Sequence, residues 1–244
     1  MQITLDEGYQ FGLGVFETIA VEKGDPVLLS WHLERLNLSL RALGIVRSVT
    51  SDDVLEYLKG QDAEHHALKI MVSGQNVVFT LRPNHYVQEQ YERGFRLAFS
   101  HVYRNETSPL VCHKTMNYGD CILEKRRASS LGADELIFKN SRGELCEGTI
   151  SNLFFVKNGE ILTPPVSCGL LPGILRRFVL KHFQAKEVIL HEEDTAQMDE
   201  CFVTNSLMGI MPVHSFQDKI FTDRAVTGQC MKEYREYLRV NTPG

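Results

Sequence analysis

The sequence predicts a mixed α+β fold in two parts. Three observations predict it. Short runs that alternate apolar and polar residues recur along the chain, separated by turn signals, and mark strands. Longer stretches with apolar residues three and four apart mark helices. Residues 104–112, "RNETSPLVC", break both patterns with polar and proline punctuation. They read as a linker between a smaller N-terminal domain, residues 1–103, and a larger C-terminal domain, residues 113–244.

The elements follow in order. "VFETIAVEKG" alternates up to a Lys-Gly-Asp turn, which predicts a strand and a hairpin. Ser30 is placed to cap the next helix, whose apolar stripe is Leu33, Leu36, Leu40 and Leu43 and which Gly44 ends. A second helix follows "TSDD", with Ser51 as its cap. "ALKIMVS", "NVVFTLRP" and "FRLAFSHVYR" are strands. Beyond the linker, "YGDCILEKRRASSLGA" is a helix ending near Gly132. "DELIFKNSRGELCEGTISNLFFVKNGEILTPP" is rich in strands, with hairpin signals at "NSRG" and "KNGE". "LLPGILRRFVLKHF" is a helix with Pro172 in its first turn and Ile174, Leu175, Phe178, Val179 and Phe183 on one face. "ECFVTNSLMGIMPVHSF" is a strand, a small-residue turn and a second extended piece, and the last helix covers residues 223–239.

Composition narrows the function. A chain of 244 residues, 43% hydrophobic and 23% charged, can bury a sizeable core and is globular rather than disordered. A net charge of −5 with both signs interspersed gives no basic field for nucleic acid or an anionic membrane. No apolar run approaches the roughly 20 residues of a membrane span, and the start lacks a secretory pattern. Cys112, Cys121, Cys146, Cys168, Cys201 and Cys230 form no C-x-x-C pair and no zinc-ligand spacing. Free thiols in a reducing cytoplasm are expected, and no metal site.

The chemistry centres on "CHKTMNYGD", where Lys114 precedes a polar turn and a helix start. Glu147 ends a short strand in "CEGTISN". "PGILRR" opens a helix whose first N–H groups favour an anion such as a phosphate. "TNS", 204–206, is a second small polar turn with N–H and hydroxyl donors. Taken singly, each is an ordinary surface lysine, strand end, helix start or turn. Together they supply what pyridoxal phosphate requires: an amine for its aldehyde, a carboxylate for its ring nitrogen and donors for its phosphate.

The stretch "GADELIFKNSRGELCEGTISNLFFVKNGEILTPPVSCGLLPGILRRFVL" resembles the signature of the fold-type IV pyridoxal-phosphate enzymes. "FGLGVFETI", "HLERL", "KTMNY" and "TNSLMGIMPV" match in the family's order and spacing. The resemblance implies a two-domain D-amino acid aminotransferase-like fold, with a small N-terminal α/β domain and a larger C-terminal pseudo-barrel. It implies a homodimer with active sites at the subunit interface. One further strand usually precedes the pattern "D-x-G-x-x-FG"; here Met1 to Leu5 stand in its place.

Residue by residue, the resemblance makes Lys114 the cofactor-anchoring lysine and Glu147 the partner of the pyridine nitrogen. Arg35 of "HLERL" would grip the phosphate, although the helix pattern alone puts it off the leucine stripe, in solvent. Tyr118 would stand near the phenolic oxygen. The amides of Ile174 and Leu175 and the hydroxyl of Ser206 would meet the phosphate. "TNSLMG" followed by "PV" is similar to the aminodeoxychorismate lyase branch, with 4-amino-4-deoxychorismate as substrate and Asn205 over it. Arg104 is a candidate for a substrate carboxylate. The nearest alternative is an aminotransferase acting on branched-chain or D-amino acids, and a cofactor carrier without catalysis is a more distant one.

Overall fold

The structure, a computed structural model, describes residues 2–241. The chain divides into two compact units. The first holds the chain up to His85, the short segment His113–Tyr118 and the end from Tyr237. The second holds Tyr86–Cys112 and Gly119–Glu236. The division differs from the expected 104–112 boundary for a hydrogen-bonding reason. "FRLAFSHVYR" pairs along its length with strands of the second unit, whereas residues just past the linker return to pair with the first.

In the first unit, α1 (Glu7–Phe11) leads into β1 (Gly14–Glu22), β2 (Asp25–Pro26), α2 (Leu29–Ala42), α3 (Ser51–Leu58), β3 (His65–Ser73) and β4 (Val77–Pro83). The strands form one sheet in the order β2-β1-β3-β4. Lys23 and Gly24 both take positive φ and close a two-residue hairpin between β1 and β2. Val15, Ile19 and Val21 of β1 and Leu68, Ile70 and Val72 of β3 pack against Leu33, Leu36 and Leu40 of α2. The caps fall one or two places from expectation. Leu28, in the left-handed region, precedes α2, so Ser30 lies inside it. Thr50 caps α3 through a reciprocal pair with Asp53, so Ser51 is its first helical residue. Gln2 to Asp6 carry no strand, and Met1 lies outside the described residues.

The second unit contains α4 (Gln88–Arg93), β5 (Phe95–Arg104), α5 (Gly119–Ser130), β6 (Glu135–Asn140), β7 (Leu145–Gly148), β8 (Asn152–Lys157) and β9 (Glu160–Thr163). Then come α6 (Ile174–His182), β10 (Lys186–Glu187), β11 (Glu200–Asn205), β12 (Gly209–Phe216), β13 (Lys219–Ile220) and most of α7 (Ala225–Asn241). The sheet runs β10-β9-β8-β11-β12-β5-β6-β7, and β7 pairs again with β8. That last pairing closes β8, β11, β12, β5, β6 and β7 into a barrel, the form expected from the resemblance. Its core gathers Ile137, Leu153, Phe155, Val203, Met211 and Phe216. Among the described residues no helix is long and apolar enough to cross a membrane.

Candidate functional site

Lys114 is held by its backbone before its side chain matters. β2 pairs with β1 only at Val21 and Glu22. At the start of β1 the same edge is met by the segment around Lys114, at Gly14 to Phe16. Phe16 N–H donates to the Lys114 carbonyl and Met116 N–H to that of Gly14, both at 2.8 Å, and Val15 faces Thr115. Asn117 Nδ2 donates to the Gly12 carbonyl at 3.1 Å, and His113 Nδ1 lies 2.9 Å from Ser39 Oγ. With the chain pinned at both ends, the Lys114 amine sits 4.4 Å from the Phe16 ring centre and 4.9 Å from that of Tyr118. The two rings meet edge to face at 5.1 Å. Ring faces attract a cation with about 0.5–2 kcal/mol and crowd its other directions, so the amine has a defined seat.

The opposite face of β1 carries Glu17, in phase with Val15, Ile19 and Val21 and fully buried. Arg35 Nε donates to Glu17 Oε1 at 2.7 Å and Nη2 to Oε2 at 2.8 Å, while His32 Nδ1 lies 2.7 Å from Oε2. Burial alone would raise the Glu17 pKa, but the charge of Arg35 and the contact with His32 outweigh it and hold the carboxyl at about 2. Burial lowers the His32 pKa, and the charges of Arg35 and Lys114 lower it further, against the pull of Glu17. The triad is therefore a carboxylate, a guanidinium and a neutral imidazole.

In the second unit the strand registers build a row. Glu147 of β7 stands opposite Asn152 of β8, which stands opposite Thr204 of β11. Residues directly opposite in antiparallel pairs project to the same face. Arg104 Nη2 donates to Glu147 Oε1 at 2.7 Å, the Leu171 N–H to Oε2 at 3.1 Å, and Asn152 Nδ2 to the Leu171 carbonyl at 2.9 Å. The Arg104 guanidinium also lies 4.6 Å from the Phe138 ring centre. Gly173, the N-cap of α6, comes so close to Asn152 that a Cβ there would be 1.9 Å from Oδ1. No side chain caps α6. Ile174 and Leu175 bury their side chains, so the backbone N–H groups of the first turn are what the helix offers. Thr204 Oγ1, also buried, makes no hydrogen bond among the described residues.

Lys114 and Tyr118 thus come together, and so do Glu147, Arg104 and the start of α6. Arg35 is no solvated residue: its side chain is 11% exposed, drawn in by Glu17. Arg104, the candidate for a substrate carboxylate, reaches the Glu147 carboxylate. Asn205 Oδ1 accepts the N–H groups of Leu207 and Met208, and its Nδ2 donates to Tyr86 Oη. Its amide shapes the turn that carries Ser206 between β11 and β12. Pro172 stands before the α6 cap rather than in its first turn. Glu17, His32, Phe16 and Asn152 were not singled out in the sequence. Glu17 had a visible signal: an acid in phase with the apolar positions of a strand must be buried, and a buried acid needs a cation.

Residues 14–216 match the family model described as amino-transferase class IV. The chain belongs to that family. Among its class IV relatives, the Bacillus subtilis aminodeoxychorismate lyase is 29% identical over 87% of this chain and 80% of its own. A Legionella pneumophila structure described as a candidate 4-amino-4-deoxychorismate lyase is 29% identical, with a TM-score of 0.89 over 97% of this chain and 95% of that one. A branched-chain aminotransferase from Thermoproteus uzoniensis, solved with norvaline, is 25% identical, with a TM-score of 0.83 over 94% of this chain and 86% of that one.

Proposed function

We propose that this class IV chain is a pyridoxal 5'-phosphate-dependent lyase that converts 4-amino-4-deoxychorismate to 4-aminobenzoate and pyruvate. The observation that carries the reading is the nearly full-length likeness to chains of that name. The chain's own residues fit the cofactor. Lys114 offers a seated primary amine. Glu147 is a buried carboxylate held in place by Arg104 and Leu171, and so supplies the negative charge that a protonated ring nitrogen needs. The uncapped α6 start, with Ile174 and Leu175, offers donors for a phosphate. Arg35, Ser206 and Tyr118 keep the parts the resemblance assigns, as parts of the same proposal. When bound, the cofactor supplies an electron sink for the pair released at the amine-bearing carbon.

The protein's work is then proton handling and orientation. Lys114, freed as a neutral amine, removes the proton from the amine-bearing ring carbon. The C–H pair forms the new ring double bond, and the neighbouring C–O bond breaks with its electrons on the enolpyruvyl oxygen. Lys114, now an ammonium, donates a proton to that oxygen, and the released enol becomes pyruvate. Aromatisation of the ring drives the elimination. The fixed backbone of residues 113–118 aims this one amine for both transfers.

A homodimer in the cytoplasm belongs to the same reading. Ile122 and Leu123 of α5 and Tyr103 of β5 stay exposed, as suits a protein interface, and free thiols at all six cysteines accord with a reducing compartment. The likeness to the Thermoproteus aminotransferase supports a second reading, amino transfer. Product analysis separates them: purified protein with cofactor, 4-amino-4-deoxychorismate and no amino acceptor. Equimolar 4-aminobenzoate and pyruvate are expected. Neither product, from protein that binds cofactor, would overturn the lyase reading in favour of transfer.

A further inference from the structure

We propose that Glu17 is a positioning residue for anion binding: it grips one edge of the Arg35 guanidinium and thereby fixes the orientation in which Arg35 meets the cofactor phosphate. The inference rests on the cofactor reading above and adds to it a residue that never touches the ligand.

The argument is geometric. Arginine has a long side chain with many rotamers, and ordering it costs up to about 2 kcal/mol on binding. Glu17 removes that freedom beforehand. Its two oxygens take Nε at 2.7 Å and Nη2 at 2.8 Å, the paired contact that fixes both the position and the plane of a guanidinium. The carboxylate is itself immobile. It sits on the central part of β1, paired with β3 through Glu17↔Ile70, and His32 Nδ1 holds Oε2 at 2.7 Å. His32 and Arg35 are one turn apart on α2, so a single helix face brings both partners to one acid. A merely structural ion pair could sit anywhere in the core. This one holds the arginine that the family pattern directs to the phosphate, on the strand whose preceding residue, Phe16, seats Lys114.

The test compares affinity for pyridoxal 5'-phosphate with affinity for pyridoxal, which lacks the phosphate, by absorbance titration of the full-length protein. Wild type should prefer the phosphate form strongly. Glu17→Gln keeps the shape but sets an amide N–H against a guanidinium N–H. It should weaken phosphate-form binding by about tenfold to a hundredfold, the worth of one or two misplaced charge-assisted hydrogen bonds, and leave pyridoxal binding unchanged. Arg35→Ala should cause at least the same loss, and the double variant no more than Arg35→Ala alone. Glu17→Asp keeps the charge but draws it back by one carbon; it should fall between wild type and Gln and serves if Gln does not fold. A Glu17→Gln or Glu17→Asp protein that melts earlier yet keeps the full preference would overturn the proposal and leave Glu17 structural. Wild type that binds neither compound would instead overturn the cofactor reading beneath it.

Discussion

Acid should loosen the first unit through Glu17 and His32. The folded carboxyl of Glu17 titrates at about 2, against an ordinary 4.5. The gap, at roughly 1.4 kcal/mol per pH unit, is worth about 3 kcal/mol. A depressed carboxyl contributes stability that is present above its unfolded pKa and lost as pH falls through the folded one. The loss therefore begins near 4.5 and is about 2 kcal/mol by pH 3. His32 acts in the same direction. Its folded pKa is lowered, chiefly by burial, so below its ordinary 6.5 the unfolded chain takes up a proton that the folded one refuses. The assay is urea unfolding between pH 7 and 3, followed by the fluorescence of Trp31, the chain's single tryptophan, in α2 beside His32. Many carboxyls titrate in that range, so the informative quantity is the difference between wild type and Glu17→Gln. The variant should start less stable at pH 7 and lose about 2 kcal/mol less by pH 3. If both proteins lose stability in parallel, Glu17 is not a buried carboxylate held by Arg35, and the reasoning fails.

Other expectations follow from the same geometry. Lys114→Ala should abolish turnover while leaving the fold intact, and reductive trapping should no longer leave cofactor on the 114 peptide; single-turnover assays and peptide mass analysis check both. Arg104→Met removes the close partner of a buried carboxylate and should cost about 2–4 kcal/mol in urea unfolding, less in combination with Glu147→Gln, because the uncompensated charge is then gone. Gly173→Ala has an ordinary φ of −66° and so no backbone strain, but its methyl would displace Asn152. A loss of about 1–3 kcal/mol is expected, largely recovered by adding Asn152→Ala, as read by melting temperature.

The elements were legible because their patterns are local. "FRLAFSHVYR" maps onto β5 residue for residue, and the leucine stripe of α2 is its buried face. Cap positions slipped by a residue or two because a cap depends on where the chain turns. Leu28 turns it before α2 in a left-handed conformation that no composition rule assigns to leucine. The candidate site residues stood out for another reason. Lys114, Glu147 and the α6 start lie in motifs that together resemble, in order and spacing, those of a known family.

By itself, then, the sequence determined the elements, the family signature and the identity of the candidate lysine and acid. Tertiary structure alone decided what those groups touch. Segment 113–118 pairs with β1, some hundred residues away in sequence, and this seats Lys114 against Phe16. Arg35 turns inward because a strand, read at its own period of two, places an acid under a helix read at its period of 3.6. Arg104 goes to Glu147 because β5, β6 and β7 are neighbours in a closed sheet. Pairings of this kind arise from the closure of distant segments, and the energy that selects them is shared across the fold, so no local window of residues encodes them.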